Sequence, residues 1–571
     1  MTDVASIRPL AAVLVSALAI PVILSLKTRP NVREGVTLTV AGTKFAIVAS
    51  MLPGVLSGTV YETQLATLGP GLSLVLRADA LGILFGLLAS LLWIVTSFYS
   101  IGYMRGLAEH AQTRYFASFA ASLASAMGVA FGANLLTVFV FYELLTVSTY
   151  PLVTHDETDG ARAAGRKYLA YTFGGGVAVL GGTLLVFFLT GTTAFTPGGI
   201  ETLATADPTL ARAAFALLAA GFGVKAALMP AHSWLPDAMV APTPVSGLLH
   251  AVAVVKSGVF GIARVVLDVY GTDLMVDLGV ALPLAAVAAF TLLTASVIAL
   301  RQDNLKRRLA YSTISQLSYI VLGLALLEGN ALIGGLLHIP AHAFMKLTLF
   351  FCAGAIHVET HTDDISDMAG IGRRMPLTMA AFAVAAAGMA GIPLVAGFVS
   401  KWYIVIGALQ GEQFVFAAAL LFSGILNIAY FWPIVYQAYF ETPEGHDEKP
   451  LISAVLGGRE AVRTDGGEGR EEPLSEGDGS DAEMGDPDES VPRPEQVDHL
   501  GKRHEDVEHH GGPPEGGWDR RGWQGQESTW FMLGPILTAA TLSLALGIAP
   551  RLAVFLRIVE TVVVGLPGVA L

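Results

Sequence analysis

The sequence predicts an all-α polytopic membrane protein with about fourteen transmembrane helices. Of its 571 residues, 53% are hydrophobic and only 14% are charged, about half the charged share of a soluble domain. Apolar runs near the 20-residue length of a bilayer crossing recur almost end to end. They cover residues 8–26, 36–56, 80–100, 114–132, 135–154, 166–190, 210–239, 243–268, 277–300, 307–327, 331–356, 376–409, 413–439 and 530–549. The first run lacks a small-residue cleavage site and is read as a retained helix rather than a signal peptide. Lys44, inside the second run, is expected to snorkel from near that span's end.

Charge divides the chain into three parts. Residues 441–527 hold 24 Asp/Glu and 9 Lys/Arg, whereas the rest is nearly neutral. The transmembrane body is therefore 1–440, followed by an acidic stretch at 441–528 and a last helix with its tail at 529–571. The acidic stretch, rich in Gly, Pro, Glu and Asp, cannot bury enough apolar surface to offset its ordering entropy, so disorder is expected. Basic residues concentrate after odd-numbered spans: Lys27, Arg29, Arg33, Arg105, Arg114, Arg162, Arg166, Lys167, Arg301, Lys306, Arg307, Arg308, Arg373 and Arg374. Loops after even-numbered spans offer little beyond Arg77, Arg212 and Arg264. The positive-inside rule then places odd loops and the acidic stretch in the cytoplasm of a cell-membrane protein, with both termini outside.

Two spans are interrupted. The seventh carries Pro230 and Pro236 just beyond Lys225, and the twelfth reads Gly391-Ile-Pro393 before Gly397 and Lys401. Proline removes a backbone donor and clashes with the preceding turn, so both helices should break near midplane. Such irregular backbone survives in a bilayer only inside protein or beside a wet cavity. The breaks lie five spans apart, which predicts two five-helix repeats, about 114–268 and 277–439. Five is odd, so the second repeat is inverted, an arrangement that points to a transport path.

Buried charge points the same way. Glu143, Lys225, Lys256, Lys346 and Lys401 all lie within apolar runs. A charge at the bilayer centre costs roughly 2.5–3.5 kcal/mol on insertion scales, so such residues usually mark an ion or proton route. Glu143 and Lys225 form the expected coupling pair. At about 4 Å and an effective dielectric of 20 their attraction is roughly 4 kcal/mol, enough to keep both charged. Separating them would release or capture a proton; a static pair that fixes helix packing is the structural alternative. His338, His342 and Lys346 recur every four residues and fall on one helical stripe, suited to proton hopping because imidazole titrates near neutrality. Two histidines at that spacing could hold zinc, but no adjacent carboxylate or thiolate completes a site, and packing histidines are the plainer alternative. His250 and Lys256, six residues apart, should point to different sides of the eighth helix. His232, in the gap of the seventh span, either passes protons to water or caps the second half-helix. The segment Arg301 to Gln316, with Asp303 as a candidate cap, reads as a helix entry that sets topology before chemistry.

Other classes are excluded. Cys352 is the single cysteine, which rules out a disulfide framework, a thiolate zinc site and a cysteine-held iron–sulfur cluster. No glycine-rich phosphate loop follows a strand. No cofactor, resident metal or nucleic acid is implied, and the driving energy must come from an ion gradient or a partner.

Four stretches carry a resemblance: Tyr142-Glu143-Leu-Leu; Val224-Lys225 through Pro230-Ala-His232-Ser-Trp-Leu-Pro-Asp237 to Ser246; Lys306-Arg-Arg-Leu-Ala-Tyr-Ser-Thr-Ile-Ser-Gln316; and His342-Ala-Phe-Met-Lys346. Together they resemble the antiporter-like subunits shared by complex I and Mrp-type cation/proton antiporters, across most of residues 80–440. The resemblance implies a fourteen-helix fold with a polar axis at midmembrane. Glu143 and Lys225 would be its coupling pair, with Lys256, Lys346 and Lys401 as relay positions. Lysine at 401 resembles the Mrp D-type branch, and the stretch of about twenty residues after the fourteenth span is expected to set the chain apart from the family's largest paralogue; the acidic insertion departs from the usual pattern. The expected partners are other integral membrane subunits, with protons and Na⁺ as the ions moved. No stretch supplies a cage of several oxygens for Na⁺, so that path is expected in another subunit. The same module inside a complex I-like oxidoreductase or membrane-bound hydrogenase is the alternative, in which case the chain would belong to a translocase rather than a plain exchanger.

Overall fold

The computed structural model describes residues 2–442, 511–513, 518–523, 525–552, 554–567 and 569. Each of the fourteen apolar runs coincides with helix. They are α1 (Arg8–Ser25), α2 (Pro30–Ala49), α3 (Ala80–Gly106), α4 (Gln112–Phe131), α5 (Leu135–Val153), α6 (Asp159–Thr190) and α7 (Pro208–Lys225). There follow an irregular α8 (243–270), α9 (Ala281–Leu300), α10 (Leu305–Ala325), α11 (Gly329–Thr360), a split α12 (Pro376–Ala390 and Ala396–Gln410), α13 (Phe414–Phe440) and α14 (Trp530–Ile548). Nine helices among the described residues are long and apolar enough to cross a bilayer unaided. The other five runs are broken, as in α7, α8 and α12, or too polar, as in α4 and α10.

Burial shows which helices build the interior. The most apolar stretch of α11 is buried along its whole length, and that of α3 is 83% buried, whereas α1 and α13 bury about a third. Leu184 and Phe188 of α6, with Leu421, Phe422 and Ile425 of α13, lie exposed on the outer surface. In lipid such apolar faces cost nothing.

Loop contacts fall into two separate groups. On one face the N-terminal strand β1 (Thr2–Ala5) pairs in parallel with β2 (Thr59–Gly69), which pairs antiparallel with β3 (Leu72–Ala78). On that face too, Leu76 bridges Gly132, Asn134 bridges Ala194, and the Thr196 amide donates to Asp268 at 3.0 Å. These are the N-terminus and the loops after even spans. On the other face Arg33 donates to Gln112 at 2.8 Å, Arg114 pairs with Glu157, Lys167 with Asp237 at 2.6 Å, and Asn304 bridges Asp364. All of these join segments flanking odd loops.

The small sheet lay outside the all-α expectation. Its signal was local: a Thr/Val/Tyr-rich run of the type that favours strands, then Pro70-Gly71. Gly71 has φ +71° and faces the Gly191 carbonyl so closely that a side chain has no room. A second unforeseen element, α15 (Phe555–Val564), packs against α3 and α11, with Phe555 edge-on to Phe344 at 5.8 Å.

Most of the acidic stretch falls outside the described residues. Its C-terminal end packs against the body: the Trp518 indole donates to the Ala369 carbonyl at 2.8 Å, and the buried Glu527 carboxylate accepts from the Leu377 and Thr378 amides at 2.9 and 2.6 Å. An anion is thus placed on the exposed N–H groups of the α12 N-terminus, where the helix dipole favours it.

Two basic residues depart from expectation. Lys44 does not snorkel; it is fully buried, donating to the Leu123 carbonyl at 2.8 Å and lying 4.9 Å from the Trp93 ring. It points inward because α2 presents that face to α3 and α4. Arg264, counted above as a loop residue, is also buried and bonds both oxygens of Asp79 and one of Asp268, each at 2.7 Å. Asp79 is in turn the N-cap of α3, accepting from the Gly82 amide. Removing one member of such a pair leaves an uncompensated charge. Arg264→Ala is expected to destabilise the chain by about 3–5 kcal/mol, measurable as a lowered midpoint in denaturant unfolding of the micelle-held protein.

Candidate functional site: a buried line of basic side chains

The line begins where α7 ends. Residues 226–233 form turns rather than helix, with Ala227 at φ +54°, so the last carbonyls of α7 lack their usual partners. The Trp234 indole satisfies the Val224 carbonyl at 2.9 Å. Lys225, fully buried at this helix end, donates to the Tyr142 carbonyl at 2.5 Å and sits 3.4 Å from the centre of the Tyr142 ring. Glu143 is the next residue on α5, yet its carboxylate makes no ion pair with Lys225 among the described contacts, and both its buried oxygens lack a hydrogen-bond partner. No salt bridge within 4 Å joins the two among the described residues: the ammonium is held on a neighbouring carbonyl, with the carboxylate still within its electrostatic reach. Glu143 instead fits against Gly176 of α6, where a Cβ would strike the carboxylate.

Helix α8 is distorted where the chemistry requires it. Leu248–Val252 forms a π-turn, and Ala253 leaves helical geometry at φ −124°, ψ −65°. A π-turn shifts the register of everything after it. Consequently His250 and Lys256 both reach α11, instead of opposite sides. His250 lies 4.7 Å from the Phe350 ring and pairs with Thr313 through Nδ1 at 3.0 Å. The Lys256 ammonium meets His342 Nδ1 at 2.6 Å.

From there α11 carries the line. The His342 and His338 rings are 6.1 Å apart. His338 pairs with Ser400 through Nδ1 at 2.7 Å and with Gln316 through Nε2 at 3.0 Å. Its ring lies 5.6 Å from Tyr319, and the Lys401 ammonium lies 4.4 Å from the centre of that same ring. Lys401 belongs to the second half of α12 but donates to Met389 O, at the end of the first half, at 2.5 Å. Gly391, at φ +91°, ends that half-helix. A cation thus neutralises the negative end of a broken helix. One turn along α11, Lys346 donates to the Leu309 carbonyl at 2.8 Å and to Ser312.

The structure therefore brings together Lys256, His342, His338 and Lys401, with Lys346 and His250 beside them. It leaves Lys225 one step away: no hydrogen bond joins it to Lys256 among the described residues, although Gly258 of α8 sits directly on the Lys225 backbone. His232 stands apart, half-buried, its ring 6.4 Å from Tyr311. Leu309, Ser312, Thr313 and Gln316 are partners within the segment read above as setting topology, and Tyr319 lies just beyond it. Their signal was present, since Ser312, Thr313, Ser315 and Gln316 are polar residues inside an apolar run.

Two cavities open at the ends of α10. One of about 520 Å³ on the odd-loop face is lined by Lys167, Asp237, Lys306, Arg307 and Asp363. The other, about 850 Å³ on the opposite face, is lined by Asp273, Glu328, Glu412 and Gln413.

Apolar helices, nine of them among the described residues able to cross a bilayer, packed around an interior row of basic side chains define a multi-pass membrane protein with a polar axis. Residues 132–427 match the transmembrane family described as NADH:quinone oxidoreductase/Mrp antiporter, and the chain belongs to it. It is 32% identical over 450 residues to NADH-quinone oxidoreductase subunit N of Desulforudis audaxviator, covering 76% of this chain and 88% of that one. It is 31% identical over 424 residues to a protein named as antiporter subunit mnhA2 in Staphylococcus haemolyticus, covering 70% of this chain but only 52% of the relative's length. The fold matches a chain in the Mrp complex from Dietzia sp. with a TM-score of 0.76 at 22% identity, over 99% of this chain and 98% of that one.

Proposed function

We propose that this chain is the proton-translocating subunit of a multisubunit Na⁺(cation)/H⁺ antiporter of the Mrp D type. The observation that carries this reading is the contact line Lys256–His342–His338–Tyr319–Lys401, buried across four helices. Along it each group can pass or hold a proton, and polarity at that depth is expensive unless used. Helix α10 links the line to both faces. Its first turns line the basic vestibule and lead through Leu309 and Ser312 to Lys346; its last residues line the acidic vestibule, near the far end of α12. The fold's likeness over its whole length to a chain of an Mrp complex supports neighbours that are membrane subunits. On the proposed orientation the basic vestibule faces the cytoplasm and both termini lie outside. Protons loaded at one vestibule cross by relay, and each charge moved against the potential is worth about 2.3 kcal/mol per 100 mV.

The likeness to a quinone oxidoreductase subunit favours a second reading, the same module driven by redox chemistry. Purification of the native assembly separates the two. Small membrane subunits with no electron carrier support the antiporter; co-eluting iron–sulfur or flavin subunits overturn it in favour of a respiratory complex.

A further inference from the structure

Outside the axis, on the odd-loop face, three metal-ligating side chains converge. Glu109 and His110 come from the loop between α3 and α4, and His155 from the turn after α5. Their ligand atoms all lie within 4.8 Å of one another. Glu109 Oε2 stands 3.8 Å from His110 Nδ1 and 3.9 Å from His155 Nε2, and the two imidazole rings are 4.8 Å apart. These separations exceed hydrogen-bond length and only slightly exceed the roughly 3.3 Å between neighbouring donors around tetrahedral zinc.

His155 is the informative member. It is fully buried, and neither ring nitrogen has a hydrogen-bond partner of good geometry, although the His110 backbone lies close. Leaving a buried polar group without good partners is unfavourable, so its nitrogens should serve something. Its position is fixed from elsewhere: Arg114 donates to the His155 carbonyl at 3.1 Å while pairing with Glu157, and Tyr115 meets the imidazole edge-on at 5.7 Å.

We infer that Glu109, His110 and His155 bind one Zn²⁺ ion, clamping the α3–α4 loop to the α5–α6 turn. Two imidazoles and a carboxylate are a zinc donor set, and three protein ligands leave one position for water or for the neighbouring Asp156. The site needs no thiolate, which the chain could not supply here. It is separate from the His338–His342 stripe, whose Nδ1 atoms are already engaged by Ser400 and Lys256.

The test is calorimetric titration of ZnCl₂ into the chelator-stripped, detergent-solubilised assembly at pH 7, against its His110→Ala and Glu109→Gln variants. His504, His509 and His510 of the acidic stretch can contribute background, but it is common to all three proteins. Both variants are expected to lose one zinc equivalent, or to bind it at least about tenfold more weakly, with Mg²⁺ unable to compete. His110 is largely exposed, so its replacement is not expected to disturb folding, and an unchanged unfolding midpoint without zinc checks this. Equal zinc stoichiometry and affinity in the wild type and either variant, or displacement of the zinc by equimolar Mg²⁺, overturns the site.

Discussion

Lys225→Ala is expected to lower cation/proton exchange by about 10²-fold or more, the usual loss when a positioned proton-transfer group is removed, and Glu143→Ala to do the same. Subunit composition should be unchanged in both. The argument rests on how the two charges are held. Lys225 is anchored to a carbonyl and a ring face of α5, while Glu143, adjacent in sequence, carries buried oxygens with no donor. A static ion pair would place the ammonium on the carboxylate. This arrangement leaves each charge a place to go, at the end of a helix already broken. Lys225→Arg sharpens the expectation. Arginine keeps the cation and its hydrogen bonds but cannot give up its proton, so the variant should be as inactive as alanine. Transport rates in vesicles holding the whole assembly check all three. Wild-type exchange in Lys225→Arg would mean that the charge alone matters, as in a structural pair.

The second large effect belongs to Lys256 and His342. At 2.6 Å one proton lies between two nitrogens, and both side chains are fully buried. Lys256→Ala and His342→Ala should each reduce exchange by about 10²-fold, and the double variant should be no slower than either single one. Residues that act as one unit show such non-additivity, whereas independent contributions multiply. A double variant slower by the product of the two single effects would place the residues on separate routes.

Much of this was legible in the sequence because lipid enforces it. Every crossing must satisfy its own backbone, so every apolar run holds helix, whole or interrupted. Prolines beside Lys225 and Lys401 marked the breaks. The His338–His342–Lys346 stripe followed from helical spacing alone. What failed depended on local register and on tertiary partners. The π-turn at 248–252 has no proline or glycine signature of its own, so a regular helix put His250 and Lys256 on opposite sides. The Glu143–Lys225 contact was argued from charge, and nothing local to Lys225 announced that the Tyr142 carbonyl would hold it. Lys44 is expected from sequence to snorkel and Arg264 to lie in a loop, yet each has a buried partner distant in sequence: Leu123 for one, Asp79 for the other. The strands Thr59–Gly69 and Leu72–Ala78 are too short and too polar to stand out between spans read by bilayer length.

The most direct test concerns Lys346, which is fully buried and lies on α11 beside the vestibule-facing helix α10. The purified complex carrying Lys346→Met, a substitution close in volume but unable to hold a proton, is reconstituted into vesicles, and cation-driven pH change inside them is followed with a fluorescent dye. The account predicts an intact complex with no exchange above protein-free vesicles. Exchange at the wild-type rate would show that protons cross without this line of side chains, and would contradict it.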